Sequence, residues 1–194
     1  MKEFAKIVRG ATVPPVLATA LFVLLYFLRK DVITTGLDLA LSILFLAIIP
    51  VLAYPLQAIV PAFRPGGQKM KRRLAFILSI LGYTAAVVVS LVRGAVPNLA
   101  YIDAVYLCSV LILTLVNLVT PWHASGHACS VVGPIALLVC FFSWRALPAG
   151  IVLVALSFWS SIYLKRHTVG EYLLGGVVPL LAAALMYPIF LPIF

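Results

Sequence analysis

The sequence predicts an all-α protein, a polytopic transmembrane bundle of about seven helices (six to seven). Three observations predict it. Hydrophobic residues make up 64% of the 194 residues and charged residues only 10%, with a mean hydropathy of +1.20. That leaves too little polar surface to coat a soluble domain of this size. Apolar runs of about 18 residues or more recur, long enough to cross a bilayer core of about 30 Å as helices. Alternating segments of about 10 residues, the mark of a membrane β-barrel, are missing.

The runs fall at 11–28, 37–56, 74–92, 99–119, 128–144, 146–164 and 171–190. Pro14-Pro15 lies near the start of the first, and Arg29-Lys30-Asp31 closes it. Pro50, Pro55, Pro61 and then Pro65-Gly66-Gly67 break or kink the second, because proline lacks the N–H and clashes with the preceding turn. Gln57 to Arg73 is the longest polar connection. Turns follow at Arg93–Asn98, Arg145–Pro148 and Lys165–Gly170. Residues 1–194 read as a single integral membrane domain, with no repeat and no large extramembrane part. Met1-Lys2-Glu3-Phe4-Ala5-Lys6 leads into the first apolar run without a small-residue cleavage site, so that run is expected to stay as a membrane helix.

The net charge is +9. The cations lie in the loops, which points to membrane topology and lipid headgroups and away from a nucleic acid partner. With seven crossings, Arg29, Lys30, Arg93 and Arg145 fall on one side and every other Lys and Arg on the opposite side. The positive-inside rule then predicts a cytoplasmic N-terminus. The same side receives His123, His127 and His167. Cys108, Cys129 and Cys140 are odd in number, lie in or at the edge of apolar runs and lack metal-ligand spacing; no disulfide is expected.

Two short pieces carry chemistry. Ser125-Gly126-His127 stands where a helix should begin. A helix start offers free N–H groups and partial positive charge, both suited to phosphate. Gly126 lets the backbone approach, Ser125 offers a hydroxyl and His127 moves protons near neutral pH. The second piece is His167 with Glu171, four residues apart and so on one helical face. A carboxylate on one imidazole nitrogen fixes the tautomer and frees the other nitrogen to attack phosphorus.

In this order the pieces resemble the type 2 phosphatidic acid phosphatase superfamily, which includes lipid phosphate phosphatases and is related to vanadium haloperoxidases. Its motifs are Lys-x6-Arg-Pro, Pro-Ser-Gly-His and Ser-Arg-x5-His-x3-Asp. Gln57-x6-Arg64-Pro65 matches the first, with Gln for lysine. Ala124-Ser125-Gly126-His127 matches the second, with Ala for proline. Ser160-Ser161-x5-His167-x3-Glu171 matches the third, with Ser for arginine and Glu for aspartate. The resemblance covers roughly residues 57–180.

It implies a metal-independent, cofactor-free phosphatase acting on a membrane lipid phosphate or diphosphate, of prenyl or phosphatidate type. His167 would form a phosphohistidine, Glu171 would orient it, and His127 would protonate the leaving oxygen and then activate water. Gly126 amides, Ser125 and Arg64 would hold the phosphoryl oxygens, with Gln57 at the lysine position. The cations lost at Gln57 and Ser161 need replacement. Lys165, one turn after Ser161, is the first candidate, followed by Arg166, Lys69, Lys71, Arg72 and Arg73. Two alternatives stay open at this level. One is a metal site built from His123, His127, His167 and Glu171. The other is a lipid-binding or transport protein that keeps the fold without the chemistry.

Overall fold

The computed structural model describes residues 1–191, and all its regular elements there are helical. Helix α1 (Lys2–Ala11) meets α2 (Pro14–Leu28) at a bend of 50°. Pro14 and Pro15 fix the start of α2 and prevent one continuous helix. Helix α3 (Gly36–Ile43) starts in a capping box: Thr35 accepts from the Asp38 N–H, and Asp38 accepts from the Thr35 N–H. A π-helical turn, Leu44–Ile48, carries α3 into α4 (Ile49–Val51). Pro50, which has no N–H for a regular ladder, sits just behind that turn. Helix α5 (Ala53–Ile59) and a 3₁₀ turn, Pro61–Gly66, complete the proline-rich stretch.

The long helices follow: α6 (Gly67–Val92), α7 (Pro97–Val119), α8 (Gly126–Phe142), α9 (Leu147–Tyr163) and α10 (Val169–Phe190). Among the described residues, five helical stretches are long and apolar enough to cross a membrane, or six if α1 and α2 make one bent span. One of the five, Gly126–Tyr163, reverses on itself. Ser143 has φ 57, and a Cβ added at Gly150 would fall 2.5 Å from Ile135 Cγ2. Helices α8 and α9 are therefore the two arms of a hairpin. Each expected apolar run coincides with helix, and the second run, broken by its prolines, does so in pieces.

The bundle buries hydroxyl side chains beside its apolar core and exposes large apolar ones. Ser42, Ser90, Ser109, Ser157, Ser160 and Ser161 are buried, while Leu81, Leu111, Leu118, Ile151 and Leu173 are exposed. Small and hydroxyl side chains let membrane helices approach closely, and a bilayer accepts the apolar exterior. An apolar core of Phe22, Leu25, Leu46, Tyr101, Ile102 and Leu137 joins α2, the π-helical turn, α7 and α8. Helix α10 lies against both α7 and α8.

Tertiary contacts sort the connections into two ends. At one end Arg93 pairs with Asp38 at 3.1 Å, Asn98 donates to the Asp31 carbonyl at 3.0 Å, and Arg29 donates to the Phe141 carbonyl. At the other end the α1–α2 bend, the Ser125 loop and the α9–α10 connection meet.

Candidate active site

The two chemical pieces touch through their backbones. Ser125 N–H donates to the Glu171 carbonyl at 2.9 Å. Gly175, one turn further along α10, lies under the Ser125 backbone, and any Cβ there would collide with it. Ser125 begins α8 as its N-cap, its Oγ accepting from the Ala128 N–H at 3.2 Å. The N–H groups of Gly126 and His127 make no hydrogen bond among the described residues, and both residues line a cavity. An anion placed there would meet the free donors of a helix start.

That cavity measures about 560 Å³, within the range of small-molecule sites, about 300–1,000 Å³. Arg9, Arg72, His123, His127 and His167 line it, together with Tyr54, Tyr83, Tyr106 and Cys129. Its apolar walls, which include Leu46, Phe76, Val105, Val110 and Leu137, reach into the core between the helices. A ligand with a phosphate head and a hydrocarbon body matches this distribution.

His167 stands in the short connection before α10. Its Nδ1 is 3.4 Å from Glu171 Oε2. Glu171 also accepts from the Thr168 N–H at 2.9 Å and receives Thr168 Oγ1 on its own N–H, a capping box that starts α10. One carboxylate thus fixes the helix start and faces the imidazole. Burial lowers the proton affinity of His167 below the ordinary histidine value, and the nearby Arg9 guanidinium lowers it further. Glu171 opposes both, and the net direction is down. His167 is therefore neutral at pH 7, with Nε2 free.

His127 is held from the α1–α2 bend. Its Nε2 is 3.3 Å from Thr12 Oγ1, and Thr12 directs its own hydroxyl to the Val8 carbonyl at 2.9 Å. With that proton committed, the Thr12 oxygen is an acceptor for Nε2–H.

Arg9 is the residue that motif reading missed. Its Nη1 donates to Ser161 Oγ at 3.2 Å. Ser161 is fully buried and occupies the arginine position of the third motif. A guanidinium from the N-terminal helix thus lies beside the position that lacks one. Arg72, already among the further candidates, lines the same cavity from the start of α6.

Other expectations need correction. Ser125 is fully buried and lies outside the cavity; its hydroxyl caps α8 and does not face a phosphate. Arg64 does not reach the site: its Nε and Nη2 donate to the Ala58 and Ile59 carbonyls, closing the C-terminal end of α5. Gln57, on α5, does not line the cavity either. Lys165 and Arg166 are exposed and lie outside the lining. Lys165 ends α9 with φ 52, a conformation that directs the chain into a turn. His123, which the resemblance gives no role, also lines the cavity. Among the described residues no three His, Cys, Asp or Glu side chains gather closely enough to hold a metal ion.

No family model, no curated protein and no solved structure matches this chain.

Proposed function

We propose that this protein is an integral membrane lipid phosphatase that hydrolyses a phosphate monoester or diphosphate of prenyl or phosphatidate type. The observation that carries this reading is the shared cavity. Three histidines, one of them facing a carboxylate, and two arginines line a space whose other walls are mostly apolar, with Ser79, Ser109, Asn117 and Ser130 among them. The resemblance to the type 2 phosphatidic acid phosphatase superfamily supports the same assignment.

In this reading the lipid chain occupies the apolar part of the cavity and the phosphate sits at the start of α8. Arg9, Arg72 and the Gly126 and His127 amides neutralise the phosphoryl oxygens, work that fixed donors do without reorganising. His167 Nε2 attacks phosphorus. The P–O bond to the lipid breaks, and His127, charged only once the phosphate anion beside it raises its proton affinity, passes a proton to the departing oxygen. Nε2 keeps its proton, donated to Thr12 Oγ1, so Nδ1 is the nitrogen that gives and takes. His127 then removes a proton from water, which attacks the phosphohistidine. Inorganic phosphate leaves (or, from a terminal diphosphate, the lipid monophosphate is left behind), and His167 returns to its starting state. No metal or cofactor takes part.

We read the chain as crossing the cell membrane seven times, with α8 and α9 as separate crossings and the N-terminus and site on the cytoplasmic side. The segregation of Arg29, Lys30, Arg93 and Arg145 from all other cations supports that orientation.

The test is phosphate release in detergent from prenyl phosphate, prenyl diphosphate and phosphatidate, with and without chelator. Release that survives chelator, together with a phosphohistidine located at residue 167 by mass spectrometry, is the expected result. Release abolished by chelator would return the metal reading. Binding of these lipids without any release would identify a non-catalytic carrier.

A further inference from the structure

Helix α1 differs from every other long element. Its apolar and charged residues are segregated around the axis more strongly than in the spanning helices, and it contains Lys2, Lys6 and Arg9 within ten residues. Three stripes result. Ala5 and Val8 are buried, and α1 packs on α9, with the Phe4 ring 5.8 Å from that of Trp159. Phe4, Ile7 and Ala11 form an exposed stripe of small and large apolar side chains. Lys2 and Lys6 are exposed on a separate polar stripe. Arg9 falls between the packed stripe and the lysines and enters the cavity.

A helix with this cross-section lies in the plane of the membrane surface, apolar stripe toward the acyl chains and lysines toward the headgroups. Trp159 and Tyr163, stacked at 5.5 Å at the end of α9, supply the aromatic pair expected at that depth. The bend of 50° turns α1 away from the line of α2.

What makes the placement consequential is what α1 holds. Arg9 reaches Ser161, and Thr12, one residue beyond the helix, reaches His127. These two contacts to the candidate site lie on α1 or just beyond it, and α1 packs chiefly on α9.

We infer that α1 is a membrane-surface strap: anionic lipid headgroups bind Lys2 and Lys6, hold α1 on α9, and thereby keep Arg9 and Thr12 in the phosphate site. The bilayer's anionic lipid is then an activator distinct from the substrate. This rests on the reading of the cavity as a phosphate site. Each lysine near an anionic surface contributes about fivefold in binding; Lys6 is offset by Glu3, 2.7 Å away, so the expected stimulation is about that of one lysine.

The experiment places the full chain in vesicles of phosphatidylcholine alone or mixed with phosphatidylglycerol. Phosphate release is measured for the native protein and for Lys2→Gln/Lys6→Gln. Anionic lipid is expected to stimulate the native protein about fivefold and the double variant little, with the two equal in phosphatidylcholine. Equal stimulation of both, or none in an active native protein, overturns the inference. A second readout does not need activity. A spin label at Ile7→Cys, in a chain whose three native cysteines are alanine, should lose mobility on adding phosphatidylglycerol, and should do so less in the lysine double variant. Unchanged mobility also overturns the inference. A protein inactive on every lipid phosphate whose label still responds would sink the phosphatase reading and leave the strap standing.

Discussion

Each end of the bundle carries an arginine that reaches a partner distant in sequence, and the two arginines are used differently. At the end away from the histidines, Arg93 is paired with Asp38 at 3.1 Å, and Asp38 also accepts from Thr34 and Thr35. Beside them Ser90 donates to Asp103 at 2.5 Å, and the space between these groups is about 10 Å³, roughly that of one water. At the histidine end Arg9 has a neutral partner, Ser161, and faces a cavity of about 560 Å³. The charge at the first end is closed by a carboxylate. At the second end the positive charge is left for something that is not part of the chain. Paired charge serves the fold; a charge that faces a cavity with only a neutral partner is what the proposed phosphate site requires.

The sharpest way to break this contrast is to remove the nucleophile. His167→Ala should lower phosphate release by about 10⁴-fold or more, measured under single-turnover conditions, since the bond-forming atom is gone. Arg9→Gln comes next. It should cost about 10²–10³-fold in kcat/KM, with Arg9→Lys restoring part of the loss. It should also shift the acid limb of the pH–rate profile. Arg9 helps to depress the proton affinity of His167, so its removal raises that pKa, and the rate, which needs neutral His167, should begin to fall at a higher pH. An unshifted limb would mean that Arg9 does not face His167 in solution. Arg93→Gln, the matching change at the opposite end, should leave phosphate release within about twofold while lowering stability by about 1–3 kcal/mol, read from thermal unfolding in detergent. A large catalytic loss there would erase the distinction between the ends. The smallest effect belongs to Lys165→Ala: an exposed residue outside the cavity should change kcat/KM by less than about twofold, and a larger drop would return it to the site.

Local patterns in the chain exposed much of the bundle. Long apolar runs and their prolines marked where helices begin and bend, because the cost of burying unpaired backbone in lipid leaves few other options. The Ser125-Gly126-His127 and His167/Glu171 pieces were visible for a similar reason: helix starts and i, i+4 spacing are short-range rules. What local reading could not see was contact across distant sequence. Arg9 and Ser161 are 152 positions apart, and nothing near Arg9 resembles a phosphate motif, so it passed as topogenic charge. Its neighbours held a usable signal. An amphipathic segment ending at Thr12 before Pro14-Pro15 cannot continue straight into the first span. A cation on the inner face of such a bend points toward the bundle. Arg64 misled for the opposite reason. It satisfied a spacing, but the prolines around it leave the Ala58 and Ile59 carbonyls without helical donors, and its guanidinium supplies them.

The missing side chain at Gly175 has a consequence for how the protein is made. The Ser125 loop rests on that glycine and donates to the Glu171 carbonyl, so the start of α8 is shaped by a helix that the ribosome delivers after it. Until α10 packs beside α7 and α8, His167 and His127, the proposed nucleophile and proton carrier, belong to separate parts of a growing chain. A nascent protein halted before α10 would be inserted, largely helical and chemically inert. Competence would arrive as a single late event, and a bulky residue at 175 would delay or forbid that event while leaving every earlier span intact.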